Sequence, residues 1–164
     1  MLNTLKKRIK NEKGLSLVEL LAVIVILAIV AAIAVPAIGN IIENSRYNAV
    51  KSDAINVLNA ANLYFTDEPS KTTVTVSELK AANYLEGAGA FDKTENKGIE
   101  GTVTKGTGSS GNTFSTGKLK FSGDKTVTFS NATLNSVNTD SEKGSSISGD
   151  KTITPKVESE SKGD

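Results

Sequence analysis

Glu19 opens a run of residues that carries no other charge until Glu43. An ionised side chain beside hydrocarbon is costly, and those found there usually serve a function. Other ingredients of chemistry are scarce. The 164-residue chain has no histidine and no cysteine. That removes the commonest general base and metal ligand, together with any disulfide or thiolate site. Asp92, Glu95 and Glu100 are not spaced as in an EF-hand loop. The stretch GTGSSG, Gly106–Gly111, lacks the Gly-Lys-Ser/Thr ending of a phosphate-binding loop. No catalytic residues, cofactor or metal are expected, and the chain does not read as an enzyme.

The elements around Glu19 follow from charge and hydropathy patterning. Residues 1–14 form a basic leader, with Lys6, Lys7, Arg8, Lys10 and Lys13 against Glu12 alone. Taking these five bases and one acid from the chain's 19 and 18 leaves 14 and 17, a net −3. This mildly acidic remainder argues against a nucleic-acid surface. From Leu15 to about Phe65 the chain reads as one helix. At ~1.5 Å per residue, Leu20–Ile42 is roughly 34 Å long, enough to cross a hydrocarbon core of ~30 Å. Pro36 and Gly39 weaken this helix and mark a kink, since proline lacks the amide donor and glycine is a poor helix former. Beyond Ile42, Tyr47, Val50, Ala54, Val57, Leu58, Ala61, Tyr64 and Phe65 recur at spacings of three and four, an amphipathic stripe. Asp67-Glu68-Pro69 ends it. The expected organisation is a leader (1–14), a transmembrane and assembly helix (15–42), an amphipathic helix packing on a head (43–66), a small β-rich head (67–155) and a disordered polar tail (156–164). The fold class is α+β.

In the head, Thr72–Val76 reads as extended. SELKAANYLEG reads as a short helix, with Ser77 as N-cap, Leu79 and Tyr84 or Leu85 inward, and Gly87 as the stop. An internal echo follows: FSGDKTVTFS, Phe121–Ser130, recurs as ISGDKTITPK, Ile147–Lys156. Each is expected to be a hairpin closed over a three-residue Gly-Asp-Lys loop. That register sets Phe121 against Val127, Leu119 against Phe129 and Ile147 against Ile153, whereas a two-residue loop would put Lys120 beside Val127.

A basic start, an apolar run and Ala32-Ile33-Ala34 would also suit a secretory signal peptide, or a plain membrane anchor. Neither accounts for Glu19. The stretch KGLSLVELL, Lys13–Leu21, resembles the processing signal of type IV pilins and pseudopilins: a basic leader, glycine at the cut, an apolar residue next, glutamate fifth in the product, then an apolar helix. Leu15 stands where phenylalanine is more usual. The resemblance implies that a membrane prepilin peptidase cuts between Gly14 and Leu15 and that the new Leu15 amine is N-methylated. It implies further that Glu19 meets that amine on a neighbouring subunit during assembly. The implied partners are other copies of the chain through the N-terminal helices, minor pilins, the peptidase, and an assembly platform driven by a cytoplasmic ATPase. The implied localisation is a single-pass precursor in the cytoplasmic membrane with its N-terminus inside, then an extracellular filament on the cell surface. Within that resemblance, the lack of cysteine means that the disulfide-closed loop of many Gram-negative pilins is missing, which implies a Gram-positive source. The alternatives are a pseudopilin of a secretion or DNA-uptake machine and, from another class, a membrane-anchored extracellular binding module.

Overall fold

The computed structural model describes residues 16–92, 99–108 and 110–155. The leader, the expected cut at Gly14 and Leu15, and the tail 156–164 lie outside the described residues. The fold is α+β, a long N-terminal helix followed by a β-rich region. The chain divides into two compact units, one ending at Gly39 and one beginning at Asn40.

Helix α1 spans Leu17–Asp67. In its first part the apolar residues surround the whole circumference, and large side chains from Leu17 to Ile42 are exposed. In the second part only the stripe is buried: Tyr47, Val50, Ala54, Val57, Leu58, Ala60, Ala61 and Phe65. That switch, from apolar all round to apolar on one face, is what the sequence periodicity demands.

Strand β1 (Thr73–Thr75) leads directly into helix α2 (Val76–Ala81). The expected N-cap at Ser77 is displaced to Thr75. Its hydroxyl accepts from the Glu78 amide at 3.2 Å, while Glu78 accepts from the Thr75 amide at 2.8 Å. This reciprocal box satisfies two amides at once, which Ser77 could not do without a carboxylate three residues on. The stop also moves, from Gly87 to Ala82, followed by Asn83 with a φ of +61°. Asparagine tolerates that region, so the chain turns before the glycine is reached. A 3-10 turn, Gly89–Phe91, then brings Phe91 into the core.

Strands β2 (Thr102–Thr104) and β3 (Thr113–Ser115), with β6 (Ala132–Thr133), complete a four-stranded antiparallel sheet in the order β1-β2-β3-β6. Val74, Val103, Phe114 and Ala132 lie on adjacent strands and are all buried. Phe91, Phe114 and Phe129 pack as a trio with ring centroids 5.0–5.9 Å apart. Helix α3 (Leu134–Thr139) starts from a second capping box, between Thr133 and Ser136. A further 3-10 turn covers Gly144–Ser146.

The second sheet contains β4 (Leu119–Ser122), β5 (Lys125–Phe129) and β7 (Asp150–Ile153), and here the expected hairpins fail. In β4–β5 Leu119 faces Val127, Lys120 faces Thr126 and Ser122 faces Lys125, with the register shifting between Lys120 and Ser122. Phe121 is the bulged residue, so the Phe121–Val127 and Leu119–Phe129 pairings do not form. The bulge lets neighbouring Phe121 and Ser122 both turn inward. Phe121 meets Tyr47, with ring centroids 5.2 Å apart, and the Ser122 hydroxyl reaches Glu43. The loop is the two-residue Gly123-Asp124, with Gly123 at φ +52°, a region that glycine enters without strain. The second repeat is not a hairpin at all. Its β7 pairs in parallel with β5 of the first repeat, setting Val127 beside Lys151 and Phe129 beside Ile153. Ile147 and Ile153 are both buried without facing one another across a hairpin.

Candidate processing and assembly segment

The start of α1 fixes Glu19. The Ser16 amide donates to Glu19 Oε2 at 2.8 Å, and the Glu19 amide donates to Ser16 Oγ at 3.2 Å. This is a reciprocal capping box, and a carboxylate in a first helical turn also favours the helix dipole. Ser16 therefore orients the carboxylate singled out by the sequence. The pattern Ser-x-x-Glu ahead of an apolar run is the sequence signature of such a box.

Next to the box, α1 presents a surface that water does not favour. An 18-residue window has a mean hydropathy of 3.1, enough by length and composition to cross a membrane. Leu17 is 83% exposed and Ile33 is 71% exposed. A continuous apolar surface of this extent marks contact with lipid or protein. Pro36 and Gly39 both lie within α1, whose helical assignment continues through them. A Cβ added at Gly39 would meet nothing within 4 Å, so no contact inside the chain requires its small size.

Just beyond, polar groups on α1 hold the C-terminal part of the second unit. Lys125 donates to Glu43 at 2.8 Å, and the Ser145 amide donates to Asn44 at 2.8 Å. The Tyr47 hydroxyl donates to Asp140 Oδ2 at 2.7 Å, and Lys51 donates to the Asp140 carbonyl at 2.7 Å. Lys151 stands 3.3 Å from Asp140 Oδ1 and also pairs with Glu142. Gly144 lies against α1, where a Cβ would stand 2.5 Å from the Glu43 carbonyl oxygen. Only glycine fits that approach.

The electrostatics follow from these contacts. A hydrogen bond from Lys125 holds the Glu43 carboxyl below the usual range. Burial pushes the Asp140 carboxyl up, but hydrogen bonds from Tyr47 and Lys151 and the charges of Lys151 and Lys51 outweigh it, leaving it below the ordinary value. Burial and the Asp140 contact raise the Tyr47 hydroxyl. The Glu142 contact raises Lys151, against the opposing effect of burial.

Among the described residues, Ser-x-x-Lys spacing occurs at Ser77/Lys80, Ser115/Lys118, Ser122/Lys125 and Ser148/Lys151; a fifth, Ser159/Lys162, lies outside them. The first four lysines are ion-paired, to Asp92, Asp150, Glu43 and the Asp140–Glu142 pair. Each of these amines is thus directed at a carboxylate rather than offered to its serine. Among the described residues, no group of acids is arranged to hold a metal ion.

Residues 9–35 match the prokaryotic N-terminal methylation motif. No curated protein and no solved structure matches the chain. The chain thus carries the signal of a type IV pilin-like prepilin on a helix long and apolar enough to span a membrane. That motif indicates a structural subunit rather than an enzyme, and it implies cleavage by a prepilin peptidase followed by polymerisation. It carries no information on the kind of bacterium, so the Gram-positive expectation has no support.

Proposed function

We propose that the chain is a prepilin whose processed form polymerises into an extracellular type IV pilus filament. The observation that supports this best is the methylation motif at residues 9–35, leading into an exposed apolar helix. Before processing, the basic leader 1–14 keeps the N-terminus in the cytoplasm by the positive-inside rule, leaving the region from Glu43 onward outside. Cleavage between Gly14 and Leu15 removes that basic anchor and leaves a cationic amine on Leu15, which is then methylated. The apolar helix, residues 15–42, leaves lipid and packs against its copies, and the stretch around Pro36 and Gly39 loosens as it does so.

Glu19 keeps its Ser16 capping box, through Oε2 and its own amide, in the free precursor and in the filament alike. In the filament its buried carboxylate takes the Leu15 amine of a neighbour as its cation. A buried pair broken by loss of one partner typically costs about 3–5 kcal/mol. The penalty falls on wrongly staggered subunits, so the pair selects register while apolar packing supplies the cohesion. Minor pilins and a platform with a cytoplasmic ATPase complete the assembly. The same signal suits a pseudopilin, whose filament would be short.

The test is mechanical shearing of cells that express the chain. Long filaments that label with antibody to the 67–155 region are expected in the sheared fraction. Short stubs would move the assignment to a pseudopilin of a secretion or uptake machine. A chain that stays wholly in the membrane would make it an anchored binding module.

A further inference from the structure

An open groove of about 480 Å3 lies on the second unit between α1, the turn at Gly89–Phe91 and β4. Ala49, Val50 and Phe121 give it an apolar floor, and Arg46 and Lys120 line it as cations. Its one acid, Asp53, is occupied by the Ala90 amide at 2.8 Å. Arg46 makes no ion pair within 4 Å among the described residues, though its charge also acts on Glu43. Lys120 has only Asp124, at 3.7 Å, in a pair too exposed to hold it firmly.

A complementary feature closes the same helix. Asp67 ends the helix, and Glu68–Lys71 form an exposed turn closed by the Lys71 amide on the Glu68 carbonyl at 3.1 Å, with Lys105 donating to the Pro69 carbonyl at 2.9 Å. The Tyr84 hydroxyl takes Asp67 at 2.6 Å, while Glu68 has no side-chain partner among the described residues. Glu86 is also exposed, but Gly87 follows it and gives no apolar tip. Twenty-one residues of helix run from Arg46 to Asp67, just before Glu68, about 32 Å at the α-helical rise. One copy cannot fold that turn into its own groove. Two unlike patches on one chain make a heterologous contact, and such contacts repeat into helical filaments when they do not close into rings.

We infer that the groove at Arg46 and Lys120 receives the Glu68–Lys71 turn of a second copy of this chain. Glu68 meets the two cations and the Pro69 ring covers the apolar floor. The inference rests on the prepilin reading and gives it a lateral contact outside the apolar helix.

The chain has no cysteine, so introduced thiols report unambiguously. Ala49 and Ser70 are both exposed, and the Ala49→Cys/Ser70→Cys double variant should fold and assemble. Oxidised filaments of the double variant are expected to give a ladder of covalent multimers on a non-reducing gel. Adding Arg46→Glu with Lys120→Glu should weaken the ladder about tenfold or more through like-charge repulsion, and Glu68→Lys should restore it. Monomer alone from intact filaments overturns the groove contact and leaves the prepilin reading standing. Equal cross-linking by either single cysteine variant overturns it too, because like faces would then be meeting. If the wild-type chain forms no filaments, the prepilin reading falls and this contact falls with it.

Discussion

Glu19→Gln and Ser16→Ala separate two roles of one carboxylate. Glutamine can still close a capping box, so Glu19→Gln keeps the hydrogen bonds with Ser16 and removes only the charge. Ser16→Ala does the reverse: it opens the box, whose bonds measure 2.8 and 3.2 Å, and leaves the charge. Losing the cation partner in a buried pair costs about 3–5 kcal/mol. At ~1.4 kcal/mol per factor of ten, that is about a hundred- to several-thousandfold in subunit affinity. Losing an N-cap costs about 0.5–2 kcal/mol, and the loss applies to free and assembled subunits alike, so assembly changes much less. Shearing cells and blotting the filament and membrane fractions gives the ratio of assembled to unassembled chain. Glu19→Gln should be processed and inserted normally yet yield almost no filament, while Ser16→Ala should retain most of the wild-type yield. Wild-type yield from Glu19→Gln refutes the pairing. Equal losses from both variants would show that the cap alone accounts for the glutamate.

Other expectations concern the second unit and the helix. Asp140→Ala removes the acceptor of the Tyr47 hydroxyl and the countercharge of Lys51, whose side chains at that pair are only 14% and 11% exposed. A loss of about 3 kcal/mol is expected in urea unfolding followed by tyrosine fluorescence. Lys118→Ala, at a pair with 65% and 50% exposure, should cost no more than about 1 kcal/mol, and equal losses would contradict the burial argument. Stability should be nearly flat between roughly pH 4 and 10. Below that window the depressed Asp140 carboxyl is forced to take a proton that the unfolded chain binds more readily. Above it the raised Lys151 loses its proton, and the raised Tyr47 hydroxyl resists an ionisation open to the unfolded chain. A urea midpoint that rises above pH 10 would contradict this. Filaments of Pro36→Ala should extend less under force than wild type, because alanine restores the missing amide donor; equal extension makes Pro36 a merely tolerated break.

The parts legible in the sequence are those that depend on local periodicity. The uncharged run after Glu19, the stripe from Tyr47 to Phe65 and the stop at Asp67-Glu68-Pro69 each follow from hydropathy and proline chemistry within a few residues. The hairpin register did not, because Ser122 turns inward to reach Glu43, 79 residues away. No pattern inside FSGDKTVTFS encodes that bulge. The parallel pairing of β7 with β5 is equally remote: alternation shows which residues face the core but not which strand lies alongside. Helix α3 is not legible in the sequence because its only fully buried apolar residue is Val137, and a single position has no period. The Thr75–Glu78 and Ser16–Glu19 boxes were readable from spacing alone, and they correct the N-cap and supply the position of the candidate site's central carboxylate.

The most direct test of the account is the mass of the N-terminal peptide of chains purified from filaments. The account predicts a chain that begins at N-methylated Leu15. Filaments built from chains that still begin at Met1 with the basic leader attached would contradict it.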